Sequence, residues 1–137
     1  MRPLTREWVD KAEEDHQAAE ALGAGPDSVW GPICFLSQQC AGKYLKAWLV
    51  EQGVDFRKTH DLDHVGKLCA PSLGEIEALM DDLRFLTSFA VEVRYPGMSP
   101  TREDANRCRE VSGAVRDAVR SALNRICRYC IDGSEAQ

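Results

Sequence analysis

An all-α bundle of four long helices plus one short helix is the fold this 137-residue sequence predicts. Three observations carry that expectation. Apolar residues recur at spacings of three and four through five segments, and no stretch reads convincingly as a strand. Glycine- and proline-bearing breaks separate the segments, at Gly23-Ala24-Gly25-Pro26, Gly53 and Pro96-Gly97. The length suits a single domain that buries its core without metal or disulfide staples. Helices joined by connections of mixed length then pack as a bundle.

The first helix opens after Thr5, a hydroxyl N-cap, and carries Trp8, Ala12, Asp15, Ala19 and Leu22 on one stripe. The second starts near Asp27 or Ser28 and runs to Gln52, with Gly53 as its stop. A loop holding Thr59-His60-Asp61-Leu62 leads to the short helix, which ends near Cys69. Ser72 and Glu75 have capping-box spacing and open the fourth helix through Ile76, Leu79, Met80, Leu83 and Leu86. Leu83, Thr87, Ala90 and Arg94 share one of its faces, and Pro96 stops it near Arg94, because the residue before a proline leaves the α region. Thr101 caps the last helix, where Cys108, Val111, Val115, Ala118, Ala122, Ile126 and Tyr129 repeat at three and four. The domain spans 1–131, and the polar end 132–137 reads as a disordered tail.

Composition excludes several classes. A net charge of −5 argues against a general nucleic-acid coat, which needs a basic excess. No apolar run approaches the roughly 20 residues that cross a bilayer, and the N-terminal residues lack the apolar core of a signal peptide. A cytoplasmic protein without membrane contact is expected. Of six cysteines, Cys34, Cys40, Cys69 and Cys108 lie in or beside apolar helical stretches, where a free thiol packs as a small hydrophobe. Cys127 and Cys130 form a lone CxxC pair with no second pair or nearby histidine, too few ligands for structural zinc. No metal site and no cofactor are read from the chain.

Arg94-Tyr95-Pro96 is the strongest functional lead. A guanidinium on a core-facing stripe is paired inside the fold, held at a subunit interface, or kept for an anion. Asp15, between Ala12 and Ala19 on the apolar stripe of the first helix, is its natural internal partner. The second helix is apolar on two sides, a pattern of enclosure by neighbours or by a partner subunit. A symmetric homodimer is expected from it. Its polar strip is narrow, with Gln39, Lys43 and Lys46 following at four and three. These side chains either snorkel to water or face a ligand or an opposing subunit. His60 either orders its turn and caps the next helix or serves as a remote base. His16 and His64 read as surface residues. Arg102, Arg109, Arg116 and Arg120 form a stripe on the last helix, diluted by Glu103, Glu110 and Asp117, and read as a solvated face.

Together these pieces resemble the HEPN domain family. The resemblance begins at Trp8, Ala12 and Asp15, and is strongest from Cys34 to Ala47, where Phe35-Leu36-Ser37-Gln38-Gln39-Cys40-Ala41-Gly42-Lys43-Tyr44-Leu45-Lys46-Ala47 is similar to an FxxQQAxEKxLKA signature. It continues through Thr59-His60-Asp61-Leu62 to Arg94-Tyr95-Pro96. The resemblance implies a HEPN-like bundle, commonly homodimeric. Family members are often encoded beside a minimal nucleotidyltransferase in toxin–antitoxin-like modules. Others are metal-independent endoribonucleases, and some are described as nucleotide binding. In the ribonucleases an arginine is followed, after four to six residues, by a histidine. Counting from Arg94, those positions are Ser99, Pro100 and Thr101, and no histidine occurs after His64. A hydroxyl cannot replace imidazole as a general base near neutrality. Gly42 also stands where the signature has glutamate. The resemblance therefore implies a nucleotide- or RNA-binding component of a two-gene module, with no catalytic residue assigned. The alternatives are an endoribonuclease using Arg94 with a remote His60, or a non-catalytic interaction module. The candidate ligand or interface residues are Arg94, Tyr95, Gln39, Lys43, Lys46, His60 and Asp15.

Overall fold

The computed structural model describes residues 1–25, 29–90, 96–97 and 99–132, with side chains described as far as Cys127. It is all-helical over those residues: α1 (Pro3–Ala24), α2 (Trp30–Gln52), α3 (Leu62–Cys69), α4 (Met80–Thr87) and α5 (Arg102–Asp132), with a 3-10 segment (Gly74–Leu79) leading into α4. The centre is α2. It packs on α1, α5, α3 and α4, and Ile33, Cys40, Tyr44, Leu45 and Leu49 are fully buried along it. Both apolar sides of α2 are thus covered within one chain, so they supply no separate argument for a second subunit.

Local chemistry moves several boundaries. Thr5 does not cap α1: the helix begins at Pro3, whose missing N–H suits the first helical position. Thr5 is instead buried, and its hydroxyl donates to Glu51 Oε1 at 2.9 Å. The expected start of α2 at Asp27 or Ser28 lies outside the described residues; the described helix follows Val29. Gly53 stops α2 as expected, in the left-handed region at φ 70°, with its N–H on the carbonyls of Leu49 and Val50. Asp61, not His60, caps α3, accepting from the N–H groups of Asp63 at 3.0 Å and His64 at 3.4 Å.

The Ser72–Glu75 capping box does not form. The Ser72 hydroxyl accepts from the Trp48 indole N–H at 2.8 Å and donates to the Cys69 carbonyl at 3.3 Å. A buried indole needs an acceptor, and Ser72 is the one within reach. Without the cap, residues 74–79 tighten into 3-10 geometry before α4 begins. The α-helix itself ends at Thr87, after which Phe89 and Ala90 bond carbonyls three residues back. The expected stop near Arg94 lies outside the described residues. Gly66 lets α3 lie close on α4, since a Cβ there would stand 2.8 Å from Leu83 Cδ1 and 3.0 Å from Met80 Sδ. Thr101 caps α5 as expected, exchanging bonds with Asp104 at 3.1 and 3.0 Å.

The α5 arginine stripe is partly solvated, with Arg102 and Arg120 exposed, but its members also reach neighbouring helices. Arg116 grips Glu13 on α1 with two bonds, 2.9 and 2.7 Å. Arg109 reaches Glu20 at 2.8 Å, and Arg102 lies 5.2 Å from the centre of the Trp30 ring. Tyr44 of α2 donates to Glu13 and accepts from Arg120 at 3.2 Å. Arginine is long enough to span from α5 to α1, so a stripe that looks outward in a helical projection closes the bundle here. Four cysteines, Cys34, Cys40, Cys69 and Cys108, are fully buried, and burial pushes the Cys40 and Cys69 thiols up to about 11 and about 12.

The Arg116 guanidinium holds the Glu13 carboxyl well below the usual carboxylate range, at about 2, with help from Tyr44 and against the opposing effect of burial. A depressed carboxylate contributes stability that is fully present above its unfolded value near 4.5 and is lost as pH falls toward about 2. Glu13→Gln should lower stability by about 1–3 kcal/mol in urea melts at neutral pH. The gap between variant and unmodified chain should close as the melts are repeated from about pH 5 down to about pH 2. A gap that stays constant in acid would remove Glu13 as the group responsible.

Candidate functional site

One face of α2 carries Gln38, Gln39, Gly42, Lys43 and Lys46, residues three or four apart that share a strip of the helix. Across from it run the start of α1, with Trp8, and the loop before α3, with Lys58, Thr59 and His60. Between them lies a cleft of about 190 Å³, lined also by Leu62.

Gln38 fixes one wall. It is buried, and its amide donates to the His60 carbonyl at 2.8 Å. With the amide nitrogen so committed, its oxygen accepts from Gln39 at 2.7 Å. The same Gln39 nitrogen lies 3.3 Å from His60 Nδ1. A donor placed there makes Nδ1 the acceptor and leaves the neutral ring's proton on Nε2. The His60 ring is therefore oriented from α2. Asp61 takes over the helix cap that a histidine at 60 might have supplied.

Lys46 also lines the cleft. It is 7% exposed, and its ammonium donates to the Thr59 carbonyl at 2.8 Å. It also lies 5.6 Å from the centre of the Trp8 ring. Among the described residues no carboxylate pairs with it. Burial first, and the neighbouring charges of Lys43 and Lys58 second, lower its proton affinity. Lys43 bonds Asp15 at 2.7 Å, with the two side chains 27% and 17% exposed. Lys58 is exposed, with no ion pair among the described residues. Three ammonium groups and one carboxylate thus leave the cleft with two uncompensated positive charges, inside a chain whose net charge is −5. Gly42 also lines the cleft, and a Cβ there would meet Leu62 Cδ2 at 3.2 Å.

Of the residues singled out from the sequence, Gln39, Lys43, Lys46 and His60 come together here, with Asp15 at the edge. Arg94 and Tyr95 lie outside the described residues, and so does the expected Asp15–Arg94 pair; the described partner of Asp15 is Lys43. Trp8 and Lys58 belong to the cleft although the sequence reading gave neither a binding role. Trp8 closes a core stripe and is only half-buried. The one available signal for Lys58 is its place just before Thr59-His60-Asp61. Among the described residues, no group of three His, Cys, Asp or Glu side chains could hold a metal ion, and no helix is long and apolar enough to cross a membrane.

The HEPN domain family matches residues 5–122, nearly the whole described bundle. This chain belongs to the HEPN family. Among solved structures it is similar to the crystal structure of an archaeal HEPN homologue, at 24% identity and a TM-score of 0.70, with 90% of this chain and 99% of that chain covered. That likeness concerns the fold. No curated protein matches the chain. Within the HEPN bundle, the α2 signature residues Gln38, Gln39, Lys43 and Lys46 are the ones that line the cleft.

Gln38 is the residue on which the loop wall depends. Gln38→Leu should cost about 1–3 kcal/mol, because it leaves the His60 carbonyl and the Gln39 amide without their partner. Amide hydrogens at 59–62 should exchange faster in the variant, with α5 exchange changing only by the global loss. Unaltered exchange at 59–62 would show that the loop is held by something other than α2.

Proposed function

We propose that this protein binds a nucleotide or RNA through the α1–α2 cleft, as the HEPN component of a two-gene toxin–antitoxin-like module with a minimal nucleotidyltransferase partner. The observation that carries the binding reading is the pair of uncompensated positive charges around Lys46, gathered beside an aromatic wall in an otherwise acidic chain. Buried or half-buried ammonium groups without carboxylates complement phosphate oxygens. The half-buried Trp8 ring adds an aromatic surface beside these ammonium groups. The homodimer and the nucleotidyltransferase partner rest on the family alone, and the gene beside this one is the direct check on the partner.

Catalysis has less support. In the family's ribonucleases a histidine is the candidate base, and none follows Arg94 at the family's spacing. The endoribonuclease alternative would need His60. In this bundle His60 Nδ1 lies 3.3 Å from the Gln39 amide nitrogen.

Incubation with labelled single-stranded RNA in metal-free buffer tests both readings in the same tubes. The expected result is retention of intact RNA, and Gly42→Glu should weaken it by about tenfold or more, since its carboxylate would neutralise the lysines from inside the cleft. Failure to retain RNA or nucleotide, or retention indifferent to Gly42→Glu, would refute the cleft as the binding site. Cleavage that disappears in His60→Ala would establish the endoribonuclease instead.

A further inference from the structure

We infer that the cleft is built for a terminal phosphomonoester, the end of a 5′- or 3′-phosphorylated nucleotide or RNA, and discriminates it from an internal phosphodiester. The inference rests on the anion-binding reading above and narrows it to one class of ligand.

Charge is the first reason. The cleft carries two positive charges beyond what Asp15 balances. An internal phosphodiester brings one negative charge, and a monoester brings close to two at neutral pH, together with three strong acceptor oxygens in place of two. The monoester is the group that leaves neither surplus ammonium uncompensated.

Donor supply is the second. An ammonium has three N–H donors. Lys46 gives one to the Thr59 carbonyl, and it is buried almost completely, so bulk water reaches little of the remainder. Those donors belong to a side chain that lines the cleft, along with Lys43 and Lys58. An anion seated between the three lysines would satisfy them where the protein among its described residues does not.

The test titrates the full-length protein with adenosine monophosphate and with one short single-stranded oligoribonucleotide in three forms: 5′-phosphorylated, 3′-phosphorylated and with both ends hydroxyl. Binding is read by calorimetry and by tryptophan fluorescence at constant ionic strength. A phosphorylated end should bind about tenfold tighter than the hydroxyl form. That advantage should vanish in Lys46→Met and shrink several-fold in Lys58→Ala, an exposed position whose loss leaves melting unchanged. The two end-labelled forms identify which terminus is read, and the mononucleotide shows whether the end alone suffices. Equal binding of phosphorylated and hydroxyl RNA, weakened in Lys58→Ala, would overturn the terminal-phosphate inference and leave the anion cleft standing. No binding of any probe, or binding indifferent to both lysine variants, would overturn the cleft reading as well.

Discussion

A lysine ammonium held between α1, α2 and the loop before α3 must be satisfied by backbone, by water or by a ligand, and Lys46 imposes that requirement here. Desolvation of a charge is costly, and the fold meets only part of the cost, through the Thr59 carbonyl and the Trp8 ring. The loop is held where it can serve Lys46 by a separate set of bonds: Gln38 on the His60 carbonyl, Asp61 on the first turn of α3, and Thr87 accepting from the Leu62 N–H at 3.0 Å. Each of these reaches across at least one element boundary or caps one. The cleft is therefore a product of the whole arrangement around α2, even though it is small and its lining is local.

A second polar network ties the same helices together by different means. Glu13 accepts from Arg116 and Tyr44, and Arg120 binds the same tyrosine, so α1, α2 and α5 are tied by one polar network beside the apolar core. Both charged partners are about three-quarters covered, at 25% and 22% exposure, where a bidentate pair is screened less than on an open surface. Residues of one helix thus have different duties: Glu13, next to Ala12, fastens α1 to α2 and α5, while Trp8 lines the cleft and Asp15 pairs with Lys43 at its edge.

Much of this was legible in the residues. The 3.6-residue periodicity marks the helices, and the α2 signature spacing alone places Gln39, Lys43 and Lys46 on one strip. What periodicity cannot supply is which distant segment lies opposite that strip. Trp8 and Lys58 stand far from Lys46 in sequence, and only the packing of α1 and the loop brings them to it. The arginine stripe shows the same limit: a helical wheel ends at the helix surface, while a guanidinium on a flexible stem reaches the next helix. Local caps proved equally contingent. Ser72 has the right spacing to cap a helix, yet the buried Trp48 indole claims it. Thr5 has the right chemistry, yet Pro3 starts α1 earlier.

The central claim is one of place, that phosphate-bearing ligands settle on the α1–α2 cleft and not on the more numerous arginines of α5. Amide and indole ¹H–¹⁵N spectra recorded through a titration with adenosine monophosphate measure place directly. The account predicts that the Trp8 indole N–H and the backbone amides of Lys43, Lys46, Lys58 and His60 shift together along a single saturation curve. Shifts confined to Arg109, Arg116 and Arg120, with the cleft resonances unmoved, would contradict it.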